Sequence, residues 1–474
     1  MKTIIPTLLF GFLLFTAGCT MAPKYMKPDN PVSNSWPEGS VKNPSGTDIF
    51  DPAVVSWRQY FTDPKIQQVI EQAISNNRDL KLASLNVELS RAMYGIKKAN
   101  IFPAFDALAT GSKSEASADL TRPGESRTSE SYSVNLGALS WEIDFFGKIR
   151  SQKDRALQEY LSTEHARRGA QILLISSVAG AYLSLAADRE NLGLAENTLK
   201  NQKKSYELIE QQYKSGIATE IDLRQAQTSV DSANRQIASL NQQVAQDLNA
   251  LNLLLGSPLP SDLLPSKLTG LNFPKTLTPG LPSEVLLQRP DVLQAECTLK
   301  AANADIGVAR AAFFPSISLT AKAGTASDQL SGLFKSGTGT WNFAPQALMP
   351  IFDARVWEAH KAAKVQQKMA VTQYEKAIQN AFKEVADALA VRGTIDQQFF
   401  AQKSLVEALS ETARLSNERY NKGIDSYLSV LTSETSLFAA QQGLTSLQLA
   451  QYASHVKLFA VLGGGGEKEE SSKE

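Results

Sequence analysis

The side chains able to do chemistry are few in this sequence, and they lie far apart. Its 474 residues include three histidines, His165, His360 and His455, and two cysteines, Cys19 and Cys297. Each histidine stands alone in helical text, with no second ligand at metal spacing, so no metal centre is expected. No Gly-x-Ser-x-Gly, His-Glu-x-x-His or phosphate-binding glycine loop occurs, and the Gly147-Lys148 pair lacks the upstream glycine of such a loop. Forty-eight basic residues balance 48 acidic ones, so the formal net charge is zero. A nucleic-acid partner, which would need clustered Lys and Arg, is not expected. Two cysteines cannot build a disulfide scaffold. Cys297 falls in a helical pattern and reads as a small buried apolar residue. These observations predict neither an enzyme nor a cofactor.

The chemistry left over belongs to Cys19. Residues 1–18 carry one base, Lys2, an apolar run from Ile4 to Phe15 and small residues before the cysteine. A run of about a dozen is too short for a membrane span, which needs about 20 residues, and reads as a signal peptide. Thr16-Ala17-Gly18-Cys19 resembles a bacterial lipobox, with Thr16 where Leu is usual. That resemblance implies cleavage before Cys19, S-diacylglycerol and N-acyl groups on it and, with Thr20 following instead of Asp, delivery to the outer membrane. A lipid-anchored linker, 19–49, comes next.

Proline distribution shows what elements position everything else. Eight of the 20 prolines fall between 1 and 64 and seven between 258 and 290, and none occurs from 124 to 257 or from 351 to 474. Proline breaks helix interiors, so these gaps predict long helices, as does the wealth of Ala, Leu, Gln, Glu, Lys and Arg. The stretch from Gly147 to Ser215 would form a rod of roughly 100 Å. Its apolar residues, among them Leu157, Leu161, Leu174, Val178, Tyr182 and Leu185, recur at spacings of three and four and predict narrow packed seams.

The chain is a tandem duplication. Tyr213, Gly216, Ile217, Leu255 and Gly256 recur 207 residues later as Tyr420, Gly423, Ile424, Leu462 and Gly463, and Asp79, Gly95 and Phe102-Pro103 recur 212 residues later as Asp291, Gly307 and Phe314-Pro315. Two structural repeats, 50–256 and 257–463, each read as helix, two strands, long helix, tight turn, helix. A flexible charged tail, 464–474, closes the chain. In the strands Ile317, Leu319, Ala321 and Ala323 alternate with polar residues, as do Trp341, Phe343, Ala347, Met349 and Ile351. Tyr132, Val134, Leu136 and Ala138 alternate likewise, and the phase then slips to Leu139, Trp141, Ile143 and Phe145, which predicts a bulge. Segments 115–130 and 325–338 read as surface loops. Four amphipathic strands fit either a small sheet on a helical bundle or a share of a membrane barrel. A barrel needs at least eight strands, and therefore several chains.

Ser140-Trp141-Glu142-Ile143-Asp144-Phe145-Phe146-Gly147-Lys148-Ile149-Arg150, Asn76-Asn77-Arg78-Asp79-Leu80, Gln288-Arg289-Pro290-Asp291-Val292 and the Tyr-x-x-Gly turns resemble the TolC-like outer-membrane factor family. More narrowly they resemble the OprM/NodT-type lipoprotein branch that serves RND efflux systems. The resemblance implies a mainly α fold with membrane β: a homotrimer whose 12-stranded barrel, four strands from each of three chains, continues into a periplasmic α-helical barrel. It implies an exit duct for small amphiphilic compounds such as drugs, working with a periplasmic adaptor and an inner-membrane RND transporter.

On that resemblance, Lys214, Ser215, Gly216, Ile217, Asn421, Lys422, Gly423 and Ile424 become adaptor-contact tips. Leu428 matches an aperture-closing leucine, and Thr432 stands where the branch commonly has an acid. Asp425, Glu220, Asp222 and Glu434 are the acids near this level, which would form a cation-favouring ring if they faced inward three times over. Taken as separate charges, they are solvated helix faces. Two other readings stay open: a type I secretion duct, and a lipid-anchored coiled-coil spacer without a pore. The absence of a Met-rich cluster disfavours copper or silver cargo.

Overall fold

A computed structural model of the chain describes residues 20–33, 35–37, 56–268 and 283–464. The signal segment, Cys19, residues 34 and 38–49 of the linker and nearly all of the tail lie outside the described residues. Helices α1 (Trp57–Tyr60), α2 (Pro64–Asn76) and α3 (Arg78–Ala99) lead into strands β1 (Phe105–Glu115) and β2 (Thr128–Ile143), then into α4 (Lys148–Lys214) and α5 (Glu220–Leu255). The second half repeats the order with α6 (Pro290–Ala311), β3 (Ser316–Ser327), β4 (Gly339–Leu348), α7 (Ala354–Asn421) and α8 (Tyr427–Val461). The chain forms two compact units, and neither coincides with a repeat. One takes in residues 1–29, 86–164 and 294–374, the other 30–85, 165–293 and 375–474.

The first unit holds an antiparallel sheet in the order β1-β2-β3-β4. Its register puts Phe105, Ala138, Ala321 and Phe343 side by side across all four strands, and likewise Ala107, Leu136, Ala323 and Trp341. Cross-strand neighbours share a face, so one face is apolar, while the other carries Asp106, Asn135, Lys322 and Asn342. The apolar face is uncovered within the chain: Trp341 is 78% exposed and Phe105 72%. The expected bulge in β2 lies between Ala138 and Trp141, where Ser140 takes a positive φ of 58°. Two glycines let β2 and β3 approach. A Cβ on Gly137 would stand 2.1 Å from the Ala321 carbonyl oxygen, and one on Gly324 would stand 2.0 Å from that of Val134. β4 ends at Leu348, short of the expected Ile351, because Pro350 cannot donate to a ladder.

The linker begins as an ordered strap, which no periodic pattern in the sequence announces. Met21 and Pro23 offer their carbonyl oxygens to Arg310 and Asn303, and the Tyr25 hydroxyl donates to Glu296, at 3.3, 2.7 and 3.3 Å. With Lys300, whose ammonium lies 5.3 Å from the Tyr25 ring centre, these partners form one stripe along α6. Gly307, on the same stripe, has no room for a side chain, since a Cβ there would meet the Ala22 nitrogen at 2.8 Å. Its counterpart Gly95, on α3, faces open space.

The second unit is built on a hydrophobic core. α2 contributes Ile66, Val69, Ile70 and Ala73, spaced to line one helical face, and α4 contributes Leu174 to Ala187. α4 is long and apolar enough to cross a membrane by composition, but its apolar stretch is this core seam. Tyr60, Phe61 and Phe459 cluster with ring centres about 5 Å apart. The hydroxyls of Tyr60 and Tyr182 reach the His455 and Leu263 carbonyls at 2.8 and 3.0 Å, so both buried phenols are satisfied.

Each repeat is tied end to end. Asn77 caps α3 by accepting from the Leu80 N–H, and its amide donates 2.9 Å to the Leu254 carbonyl at the end of α5. In the second repeat Arg289 takes the same position. Its guanidinium donates 2.5 Å to the Val461 carbonyl at the end of α8, and also to Asp291 and Glu384. Leu254 and Val461 are themselves 207 residues apart.

Candidate functional site

The site expected from the sequence lies at the turns between α4 and α5 and between α7 and α8. Both turns close identically. Gly216 N–H donates to Tyr213 and Ile217 N–H to Gln212, and in the second turn Gly423 donates to Tyr420 and Ile424 to Arg419, all at 2.8–2.9 Å. This paired pattern requires a left-handed residue, and the φ angles of Gly216 and Gly423 are 73° and 70°. The turns lie against each other. The Tyr420 hydroxyl donates 3.0 Å to the Gln212 side chain, and Ile209, Ala226, Tyr427 and Val430 form a small buried core between them. The repeat does not carry every role across: Tyr420 packs inward, while its counterpart Tyr213 is exposed.

Four apolar side chains are left outward. Ile217 and Ile221 sit on the first turn and Ile424 and Leu428 on the second, from 52% to 76% exposed. Ile221 was not singled out from the sequence, although the 207-residue offset pairs it with Leu428. Lys214 bonds Glu210 at 3.1 Å. Ser215 returns its hydroxyl to the Gln211 carbonyl, and Asn421 and Lys422 complete the second turn.

The acids near this level are individually engaged. Asp222 accepts from the Thr219 N–H and hydroxyl in a capping box that starts α5. Glu220 pairs with Arg224 at 3.4 Å. Asp425 accepts two bonds from Arg419, at 2.6 and 3.2 Å, which hold its carboxyl below the usual carboxylate range. Thr432 turns its hydroxyl back to the Leu428 carbonyl. Glu434 differs. It is half-buried beside a cleft one turn further along α8, and that burial raises its carboxyl. The structure thus gathers the tip residues into one cluster and leaves Glu434 outside it.

A sequence model of the family described as outer membrane efflux protein matches residues 69–257 and 281–464. The chain belongs to the outer membrane efflux protein family. It is 43% identical over 465 residues to the probable efflux pump outer membrane protein TtgC of Pseudomonas putida, covering 98% of this chain and 96% of that one. The solvent efflux pump outer membrane protein SrpC, also of Pseudomonas putida, is 44% identical over 455 residues, with 96% and 97% covered. Among solved structures, the open state of the Neisseria gonorrhoeae MtrE outer membrane channel superposes with a TM-score of 0.84 at 36% identity, covering 94% of this chain and 98% of that one. The efflux protein therefore has the TolC-like fold, and it is an outer-membrane channel of an efflux pump in a Gram-negative bacterium. Its family consists of transporters. The two segments matched by the family model each contain one copy of the helix, strand pair and hairpin, and one of the two turns lies in each.

Proposed function

We propose that the efflux protein works as a homotrimer whose sheets join into a 12-stranded barrel, four strands from each of three chains. The observation that carries this reading is the sheet itself. It has one continuous apolar face, and its outer strands β1 and β4 each pair on one side only. Unpaired strand edges are untenable in lipid, and closure with further copies satisfies them. Each large apolar side chain moved from water into lipid contributes roughly 1.5–3 kcal/mol.

In this reading Cys19 carries the lipid anchor, with S-diacylglycerol and an N-acyl group. The tips Lys214–Ile217 and Asn421–Ile424 meet a periplasmic adaptor that couples the channel to an inner-membrane RND transporter. The exposed Ile217, Ile221, Ile424 and Leu428 supply the apolar part of that surface, and Leu428 narrows the aperture. The paired state of Glu220, Asp222 and Asp425 favours the solvated-face reading over an acidic ring. The cargo is small and amphiphilic or apolar, as the name of the solvent-pump relative suggests.

Single-channel conductance in planar bilayers tests this. Leu428→Ser should raise the conductance of the purified protein several-fold. Unchanged conductance removes Leu428 from the aperture, and no channel in either protein overturns the barrel.

A further inference from the structure

Beside the tip cluster, α4, α5 and α8 of the second unit line a half-open cleft of about 370 Å³. This is the size of a small-molecule site. Its apolar wall includes Ala195, Ala233, Leu431 and Phe438, and its polar groups include Gln202, Arg235 and Glu434. Two of these polar groups point to an occupant. The Gln202 side-chain oxygen is buried and accepts no hydrogen bond. Buried acceptors are nearly always paired, and leaving one unmet costs about 1–3 kcal/mol. The Glu434 side chain is half-buried, and that burial raises its carboxyl. Arg235, the cation of the lining, is exposed and exerts no resolved pull on it. The cleft therefore presents an aromatic and aliphatic wall, one half-buried carboxyl, the exposed Arg235 and one unmet acceptor.

We propose that this cleft is a subsite for a small amphiphilic cation bearing N–H donors. The cation pairs with Glu434, an N–H donates to Gln202, and the apolar body lies against Phe438 and Leu431. The assignment deepens the efflux reading by naming a cargo class and a place on the channel wall where it pauses. Glu434 must be ionised to bind. The charged and titratable groups near it are Arg235 in the α5 lining and Tyr427 on its own helix, while the α4 lining contributes none that titrates. Because burial raises the carboxyl, affinity should fall on acidification at a higher pH than for an exposed carboxylate.

Ethidium, a planar cation with two aromatic amines, is the probe. Its fluorescence should report saturable binding to the purified full-length protein, weakened about tenfold by Glu434→Gln and several-fold by Gln202→Leu. Phenanthridine, similar in shape but neutral and without amines, should bind at least tenfold more weakly than ethidium. Unaltered thermal melting of both variants shows that they fold. Absence of saturable binding, equal binding by Glu434→Gln, or equal binding of phenanthridine overturns the subsite. Conductance measured on the same preparation separates the two readings: an intact channel without ethidium binding removes only the subsite, and absence of a channel removes the efflux role.

Discussion

Arg289 shows how much of this structure rests on single side chains whose partners are distant in sequence. It is 7% exposed, and it satisfies one backbone carbonyl and two carboxylates. Removing one partner from a buried charged network costs about 3–5 kcal/mol, so Arg289→Met should lower the melting temperature of the helical circular-dichroism signal well beyond Asn77→Ala, which loses neutral bonds worth about 1–2 kcal/mol. Both residues stand out in the sequence motifs, but their partners Leu254 and Val461 do not, since any residue offers a carbonyl. A half-buried and a buried group set opposing pH responses. Burial first, and then the neighbouring Asp247, push the Asp188 carboxyl up to about 6 from an ordinary 3.8. The folded chain holds that proton more tightly than the unfolded one, so the contribution to stability is present at low pH and is lost as pH rises through about 6. Burial, followed by Arg392, pushes His455 down to about 4 from 6.5, so its contribution is present above 6.5 and is lost as pH falls toward 4. Between pH 7 and 5 the two trends offset each other. Asp188→Asn should therefore lose more stability over that interval than the wild type, and parallel melting-temperature curves would show that Asp188 holds no extra proton.

At the scale of elements, periodicity gave most of the answer. Strand alternation, the β2 bulge and the long helix α4 were legible because each follows from a local rule: period two, a phase slip, and absence of proline. The break between α2 and α3 was not, since Asn77 ends one helix and caps the next without proline or glycine to mark it. The narrow gap between β2 and β3 was hidden as well, because a strand glycine signals a close approach without naming its partner. Gly324→Val should prevent that pairing, for a side chain there meets backbone atoms that cannot move aside. The expected outcome is loss of channel activity and of the protein from the outer-membrane fraction, measured by conductance and by fractionation. A variant that conducts normally would mean the strands can separate without harm.

Taken whole, the molecule is a duplication whose halves have diverged in what covers them. The repeat could be read from scattered identities because paired turns and paired glycines keep their spacing. The compact units could not, since each draws on both repeats and depends on contacts across hundreds of residues. The strap marks the divergence. Gly307→Val should expel residues 20–25 from α6, while Gly95→Val, with open space around it, should change little. Limited trypsin digestion at Lys24, which precedes Tyr25, reads the difference, and equal cleavage in both variants would mean the strap does not need that glycine. The strap also alters what an acyl group on Cys19 can do. A lipid on a free 31-residue leash would search a wide patch of membrane, and its hold on the channel would be diluted by that freedom. Here the residue after the cysteine already lies 3.4 Å from Ser151, in the first turn of α4, and the next five residues are held along α6. If Cys19 carries the proposed acyl groups, the lipid would have little slack. It would act as a depth gauge, setting how far this end of α4 stands from the bilayer before any strand has inserted.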